Sequence, residues 1–189
     1  MSKMTQRDPE FIMFVGPMFG SKTSRLLATV ERYRYQSRGI LVFKPRMDTR
    51  YESEKIVTHT GLSVSAQCVG YGREIIEQVL AAPDCEVVAV DEAFMIEGSA
   101  EACLSLFRRG KTIVVSSIQL SASGLPFDEV KDMMPYATRI EVCSAVCPIT
   151  GRDAYYTERK RSDLGEIAVG GKEMYSPVCW EHAKFMRGV

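Results

Sequence analysis

The sequence lacks a long apolar run and lacks the leader of an exported protein. No apolar stretch approaches the roughly 20 residues that a membrane helix needs, and the opening MSKMTQRDPEF has no apolar segment like that of a secretory signal. We therefore expect a cytoplasmic protein that has no membrane partner.

Neither positive nor negative charge is in excess. Lys and Arg together number 24, Asp and Glu together number 24, and the formal net charge is zero. Because no overall positive field exists to hold a nucleic-acid backbone, we predict no nucleic-acid partner. Any phosphate that the protein binds must be held by a local site.

Cysteine is sparse, with six residues in 189. This is too few for a disulfide scaffold, so metal binding or simple burial is the better expectation for these thiols. What is present is ordinary for a globular chain, since 46% of residues are hydrophobic and 25% are charged. The length suits one well-buried domain, alone or with a small appendage.

Short apolar runs alternate with longer amphipathic stretches through the first 140 residues. This alternation predicts an α/β fold with a mainly parallel sheet flanked by helices. The near-continuous hydrophobicity of the runs indicates strands buried on both faces. We predict strands over 11–15, 40–44, 86–90, 112–116 and, more weakly, 138–142, and helices over 22–37, 73–80 and 101–108.

The composition changes near residue 143, after which Cys, Gly, Pro, Tyr and charged residues replace the periodic segments. We therefore predict an α/β domain over 1–142 and a small second domain over 143–189. A segment of this size usually needs a metal, disulfides or a partner to stay folded.

A Gly-rich turn joins the first predicted strand to the first predicted helix, in FIMFVGPMFGSKTSRLL at 11–27. Backbone N–H groups in such a turn and the positive end of the helix bind phosphate, while Lys22 and Thr23 suit outer phosphates and Mg²⁺. Compared with G-x-x-x-x-G-K-[ST], Ser21 replaces the second glycine and Gly20 lies one place early. The alternative is an ordinary turn with an exposed lysine.

Two further elements follow strands. Asp91 and Glu92 end the run CEVVAV, where a carboxylate could hold Mg²⁺ and its neighbour could accept a hydroxyl proton. KPRMDTRY at 44–51 offers Lys44, Asp48 and Arg50 near the same sheet edge. For both, a solvated charged turn is the alternative.

Seven motifs occur in an order that resembles the thymidine kinases of bacteria, large DNA viruses and animal cytosol. The resemblance covers almost the whole chain from 11 to 182. The motifs are GPMF-GSKT (16–23), KP-x-x-DTRY (44–51), TH-x-G (58–61), DEA (91–93), PF (126–127), AVC (145–147) and GG-x-E-x-Y-x-x-VC (170–179).

The resemblance implies a P-loop NTPase-like domain with a small zinc-bearing lasso domain, usually assembled as a homotetramer. It implies ATP-dependent phosphorylation of the 5′-hydroxyl of thymidine with Mg²⁺, with Glu92 as the general base. The residues that it assigns to ATP and Mg²⁺ are Gly16, Pro17, Met18, Phe19, Gly20, Ser21, Lys22, Thr23, Asp48, Thr49, Arg50 and Asp91.

The nucleoside site is implied in the same way. In the family a lasso loop closes over the nucleoside and reads the base through its main chain, while other side chains line the base and its methyl group. The matching residues here are Met18, Phe127, Thr157, Glu166, Ile167, Ala168, Val169, Gly170 and Tyr175.

The sequence departs from the family at several of these positions. Phe94 and Met95 follow the DEA motif in place of Gln and Phe, and Ala122 replaces a substrate-wall aromatic. A different deoxynucleoside substrate, a non-catalytic nucleotide-binding protein and a general P-loop ATPase therefore stay open as alternatives.

The implied zinc site is also incomplete. Cys147-Pro148-Ile149-Thr150 has Thr where the family has its second cysteine, and the other pair is Cys179 and His182. Structural zinc prefers four sulfur or nitrogen ligands. Either Cys143 supplies the fourth ligand or the site is vestigial.

Overall fold

A parallel sheet of six strands forms the centre of the computed structural model, which describes residues 8–48, 55–57, 63–160, 170–171 and 173–186. The strands of this described part are β1 (Phe11–Val15), β2 (Gly39–Pro45), β3 (Lys55–Val57), β4 (Ser63–Ser65), β5 (Gln67–Val69), β6 (Cys85–Val90), β7 (Thr112–Ser117), β8 (Arg139–Val142), β9 (Ala145–Val146), β10 (Asp153–Ala154), β11 (Tyr156–Arg159) and β12 (Tyr175–Val178).

The order of strands across the sheet is β5-β2-β6-β7-β1-β8, and every neighbouring pair is parallel. This confirms the predicted fold class. Strands β6 and β1 both pair with β7, so the carboxyl ends of these three strands lie side by side. Ligands of open parallel sheets bind beyond this edge.

Each face of the sheet buries its own set of apolar side chains. In β1, Phe11, Met13 and Val15 belong to one core cluster, while Ile12 and Phe14 belong to the other. Successive side chains of a strand point to opposite faces. The continuous apolar run FIMFV therefore follows from burial on both sides.

Helices cover both faces. Leu26, Leu27 and Val30 of α1 pack against the cluster that contains Phe14, while the other three α-helices pack on the opposite face. Among the described residues the helices are α1 (Lys22–Tyr35), α2 (Gly72–Leu80), α3 (Ser99–Arg108) and α4 (Asp128–Met133), with 3₁₀ turns at Ala93–Met95, Met134–Tyr136, Trp180–His182 and Lys184–Met186. Within the described ranges, no helix is both long and apolar enough to cross a membrane.

The predicted strands and helices are confirmed, with ends that differ by no more than two residues. Sequence patterns missed β5 and α4. Strand β5 has only three residues and lies at the edge of the sheet, and α4 has only six residues. Periodicity cannot be recognised over segments this short.

Two antiparallel ribbons, β9 with β10 and β11 with β12, follow the last strand of the sheet. Ala145, Cys147, Ala154 and Cys179 form a small core of their own, and Phe19 from the turn after β1 packs against it. The change in architecture occurs where the composition changes. The division into domains at residue 143 stays a prediction.

We predict that Gly72→Ala destabilises the protein, because a Cβ atom there would lie 2.0 Å from the backbone oxygen of Gly98. The two backbone segments must separate to admit it, at a cost of about 2 kcal/mol, or a fall of roughly 4–8 °C in the melting temperature. Thermal unfolding followed by circular dichroism measures the change. Glu77→Ala, on the exposed side of the same helix, is the control and should shift the melting temperature by no more than about 1 °C.

Candidate active site

The turn between β1 and α1 has the backbone of a tight loop. Phe19 and Ser21 adopt left-handed conformations with φ of 66° and 59°, and Ser21 is the residue that caps α1. A non-glycine residue is uncommon in this region. The serine that replaces the second glycine of the motif therefore takes the positive φ that glycine adopts most easily.

The glycines of this loop rest against the chain that follows β8. A Cβ atom on Gly16 would lie 2.2 Å from the carbonyl oxygen of Cys143, and one on Gly20 would lie 2.8 Å from the same oxygen. Both positions therefore need glycine for close backbone approach. Lys22 is buried and its Nζ donates a hydrogen bond to the carbonyl of Pro17 at 2.6 Å, across the loop.

The loop and the acidic pair meet at Asp91. Thr23 Oγ1 donates to this carboxylate, at 3.0 Å from Oδ1 and 3.2 Å from Oδ2, and Ser116 Oγ also donates to Oδ1. Asp91 follows β6, Thr23 lies in the first turn of α1 after β1, and Ser116 lies near the end of β7, the strand between β6 and β1. The carboxylate is therefore held by one side chain from α1 and one from β7.

Burial controls the acidity of this carboxylate. Asp91 is only 6% exposed, and desolvation together with the adjacent Glu92 charge raises its pKa to about 6, against the opposing effects of Ser116, Thr23 and Lys22. Desolvation disfavours the ionised form unless cations or donors compensate for it. A pKa raised in this way, at the edge where ligands bind, is typical of a functional site.

Glu92 occupies a strained position directly after Asp91. Its φ is 49°, and the 3₁₀ turn Ala93–Met95 begins immediately after it. A left-handed glutamate costs energy that the surrounding structure must offset. The backbone therefore fixes the direction in which the side chain of Glu92 leaves the chain.

Two of the residues expected to bind the nucleoside are in contact. The backbone N–H of Met18 donates to Thr157 Oγ1 at 3.0 Å, which joins the turn between β1 and α1 to β11. Thr157 and Tyr175 are both buried, and Tyr175 lies at the end of β12 opposite Arg159. The Phe127 ring packs on the Phe94 ring with centroids 4.6 Å apart.

Asp48 lies just beyond β2, the strand next to β6, and is buried. Its backbone N–H donates to the carbonyl of Pro45 at 3.1 Å in a tight turn. Thr49, Arg50, Glu166, Ile167, Ala168 and Val169 lie outside the described residues.

A second cluster joins Cys147, Cys179 and His182, whose ligand atoms all lie within 4.8 Å of one another. Cys179 Sγ is 3.4 Å from His182 Nδ1, and Thr150 Oγ1 donates to the same sulfur at 3.6 Å. Two thiols and an imidazole are a donor set that zinc prefers. These residues fit a zinc ion with three protein ligands, and Thr150 stands beside them.

Hydrogen bonds favour the thiolate forms in this cluster. The Thr150 hydroxyl is the main cause of the lowered pKa of Cys179. Burial raises the pKa of Cys147, but hydrogen bonds from Thr150 and neighbouring backbone N–H groups outweigh it, so that pKa is lowered too. Thiolates are the forms that bind metal.

The suggestion that Cys143 supplies the fourth ligand is wrong. Cys143 packs in the core cluster of Ile12, Phe14 and Leu26, its Sγ lies 3.7 Å from the carbonyl oxygen of Glu141, and burial raises its pKa. It is not among the clustered ligands of the described chain. A spacing of four residues could not reveal that Cys143 still continues the path of β8, where its N–H donates to Val15.

Comparison with known proteins agrees with this geometry. The family model described as "Thymidine kinase" matches residues 10–183. A curated thymidine kinase of Pyrobaculum aerophilum is 34% identical over 180 residues, which cover 90% of this chain and 96% of that protein. The chain belongs to the thymidine kinase family. It is therefore a kinase.

Sequence reasoning missed two groups beside the turn between β1 and α1 and the acidic pair. Ser116 holds Asp91, and the Cys143 carbonyl packs against the glycines of that turn. A polar residue at the end of a buried apolar strand, as at Ser116, is the one signal that could have been used. A backbone carbonyl leaves no trace in sequence.

The stability of the kinase should depend on pH through Asp91. The carboxyl binds a proton more readily in the folded chain, so the free energy of unfolding falls as pH rises from about 4 to about 6 and is flat above that range. Asp91→Asn removes this fall in the free energy of unfolding, because asparagine does not ionise. Urea unfolding without nucleotide or Mg²⁺ should therefore show the variant gaining about 1 kcal/mol on the wild type between pH 5 and pH 7.5. An unchanged difference at the two pH values would contradict the raised pKa.

Thr150→Cys should strengthen zinc binding, because it adds a thiolate next to Cys179 and completes a set of four ligands. We expect the affinity to rise by at least about tenfold, measured by competition with a chromogenic chelator. Thr150→Ser, which keeps a hydroxyl, is the control and should leave the affinity unchanged. Equal affinities for Cys and Ser variants would place position 150 outside the site.

Proposed function

We propose that this kinase transfers the γ-phosphoryl group of ATP to the 5′-hydroxyl of thymidine. The observation that supports this most directly is the hydrogen bond from Thr23 of the phosphate loop to Asp91 of the acidic pair. It brings an anion-binding turn and two carboxylates to one edge of a parallel sheet. Phosphoryl transfer needs these two kinds of group side by side.

In this proposal Glu92 is the general base. It accepts the proton of the 5′-hydroxyl as that oxygen attacks the γ-phosphorus, and ADP leaves with the electrons of the broken bond. The amides of the loop 16–23 and the ammonium of Lys22 stabilise the charge on the transferring group. Arg50 has the same role in the proposal on the strength of its motif.

Magnesium fits the oxygen ligands at this edge. Thr23 and Asp91 would hold it, with Asp48 acting from the neighbouring strand, because carboxylate and hydroxyl oxygens are its preferred ligands. When bound, Mg²⁺ would supply positive charge that offsets the negative charge of the phosphates. The raised pKa of Asp91 supports this, since a cation would return the buried carboxyl to its ionised form.

Thymidine is proposed to lie between the phosphate loop and the ribbon of β11 and β12. The bond from the Met18 N–H to Thr157 supports this, because it joins two of the residues expected to line the base. Tyr175 and Phe127 are further members of this wall. The main chain of Glu166, Ile167, Ala168, Val169 and Gly170 would read the base edge, as the family resemblance implies.

Three accompanying proposals rest on the family alone or on the donor set. Cys147, Cys179 and His182 would hold a structural zinc ion that keeps the ribbons in place. A homotetramer and a cytoplasmic location stay predictions. Sedimentation of the purified protein and fractionation of cells measure these two.

A different deoxynucleoside is the second candidate substrate, and the Phe94–Phe127 contact favours it. The family has Gln at position 94 and an aromatic at position 122, where this chain has Ala122. The Phe94 ring packs instead on Phe127, at a centroid distance of 4.6 Å. An aromatic wall that is built from different positions can select a different base.

The proposed function is tested by phosphorylation of radiolabelled thymidine, with deoxycytidine, deoxyadenosine, deoxyguanosine and deoxyuridine as competing acceptors. Thymidine should have the highest kcat/KM. A higher value for another deoxynucleoside would assign that substrate instead. ATP hydrolysis that is independent of every acceptor would reject the nucleoside kinase.

Glu92→Gln should lower kcat by about 10²–10⁴-fold with little change in KM for ATP, because it removes the base and keeps the size of the side chain. Single-turnover transfer to thymidine measures this. Glu86→Gln, on the exposed side of the same strand, is the control and should be fully active. Equal rates in Glu92→Gln and the wild type would reject the assignment of the base.

A further inference from the structure

The turn that carries Glu92 is held by two buried serines from different elements. Glu92 has a left-handed backbone, and the next residues form the 3₁₀ turn Ala93–Met95. Ser117 and Ser99 contact consecutive residues of this turn, and both have 0% exposure. Strained conformations persist only where such surroundings determine them.

Ser117 is the last residue of β7 and binds the turn from the sheet. The backbone N–H of Phe94 donates to Ser117 Oγ at 3.1 Å, and this hydroxyl lies 3.3 Å from the carbonyl oxygen of Ile118. Without the hydroxyl, the N–H of Phe94 would lose its acceptor in a partly buried setting. The serine thus fixes the peptide two residues after Glu92.

Ser99 is the first residue of α3 and binds the turn from the opposite direction. Its Oγ lies 2.9 Å from the carbonyl oxygen of Ala93 and 3.1 Å from Glu129 Oε2. Glu129, on α4, also accepts the N–H groups of Gly98 and Ala100, both at 2.7 Å. The hydroxyl that contacts Ala93 therefore lies at the start of a helix that three hydrogen bonds join to Glu129 of α4, one of them from the hydroxyl itself.

We propose that Ser117 and Ser99 are positioning residues for the transfer of the proton to Glu92. Together they fix the N–H of Phe94 and the carbonyl of Ala93, so the backbone on the carboxyl side of Glu92 has one orientation. This inference rests on the proposed function, since Glu92 acts as a base only in that reaction. A base must lie within hydrogen-bonding reach of its proton, and a displacement of about 1 Å can cost about 10²-fold in rate.

Ser117→Ala is the decisive variant, and Thr112→Val is its matched control. Thr112 is a fully buried hydroxyl at the other end of the same strand, where it binds Glu10 and Arg38. We expect kcat for thymidine to fall at least about tenfold in Ser117→Ala, with KM for ATP within about twofold of the wild type. Thr112→Val should retain kcat even where its melting temperature falls equally.

Ser99→Ala and Ser117→Thr give independent measurements if Ser117→Ala folds poorly. Ser99→Ala should lower kcat in the same way, since it removes the side-chain contact to the carbonyl of Ala93 and leaves that oxygen only the hydrogen bond from the Ile96 N–H. Ser117→Thr should restore activity because it keeps the hydroxyl. A kcat for Ser99→Ala or Ser117→Ala equal to that of Thr112→Val would overturn the inference. So would a Ser117→Thr variant as slow as Ser117→Ala.

Hydrogen exchange separates this inference from the proposed function. The Phe94 amide should exchange at least about tenfold faster in Ser117→Ala than in the wild type, and Thr112→Val should leave it protected. Unchanged protection in Ser117→Ala overturns the inference whatever the activity. If the wild type phosphorylates no nucleoside, both the proposed function and the role in proton transfer are rejected. If the wild type is active and only the serine variants lose kcat, both are supported.

Discussion

One buried carboxylate connects the parts of this kinase on which the proposed chemistry depends. Asp91 lies at the carboxyl edge of the sheet and accepts hydrogen bonds from Thr23 of α1 and Ser116 of β7. The burial that raises its pKa also strengthens its interaction with donors and cations. The buried carboxylate therefore lowers the free energy of unfolding at the position where a cationic ligand is expected, and such a cost is typical of functional sites.

Close backbone contact extends this constraint to the C-terminal part of the chain. Gly16 and Gly20 lie against the carbonyl of Cys143, and Met18 donates to Thr157. The phosphate loop is therefore supported from the side on which the nucleoside is proposed to bind. A metal ion on Cys147, Cys179 and His182 would stabilise the same support, because Phe19 packs on the small core that contains two of these ligands.

Much of the site follows from strand ends that a sequence shows directly. The runs 11–15 and 87–90 are apolar and are followed by glycine or by carboxylates, so both the strands and the loops after them could be predicted. The positive φ of Ser21 could be anticipated from the motif, because that position normally holds glycine. The contact between Ser117 and Phe94 could not be anticipated, since the two residues lie 23 positions apart in the chain.

The sequence by itself determined the family, the parallel sheet and the places where the glycine-rich turn and the acidic pair occur, because these depend on local patterns of apolar residues and short motifs. Only the tertiary structure decided which cysteines lie in the cluster with His182. Cys143 and Cys147 are four residues apart, yet one packs against α1 and the other faces Cys179. Strand β8, the last of the sheet, ends directly before Cys143. The direction in which a chain leaves a sheet depends on packing against distant segments rather than on spacing.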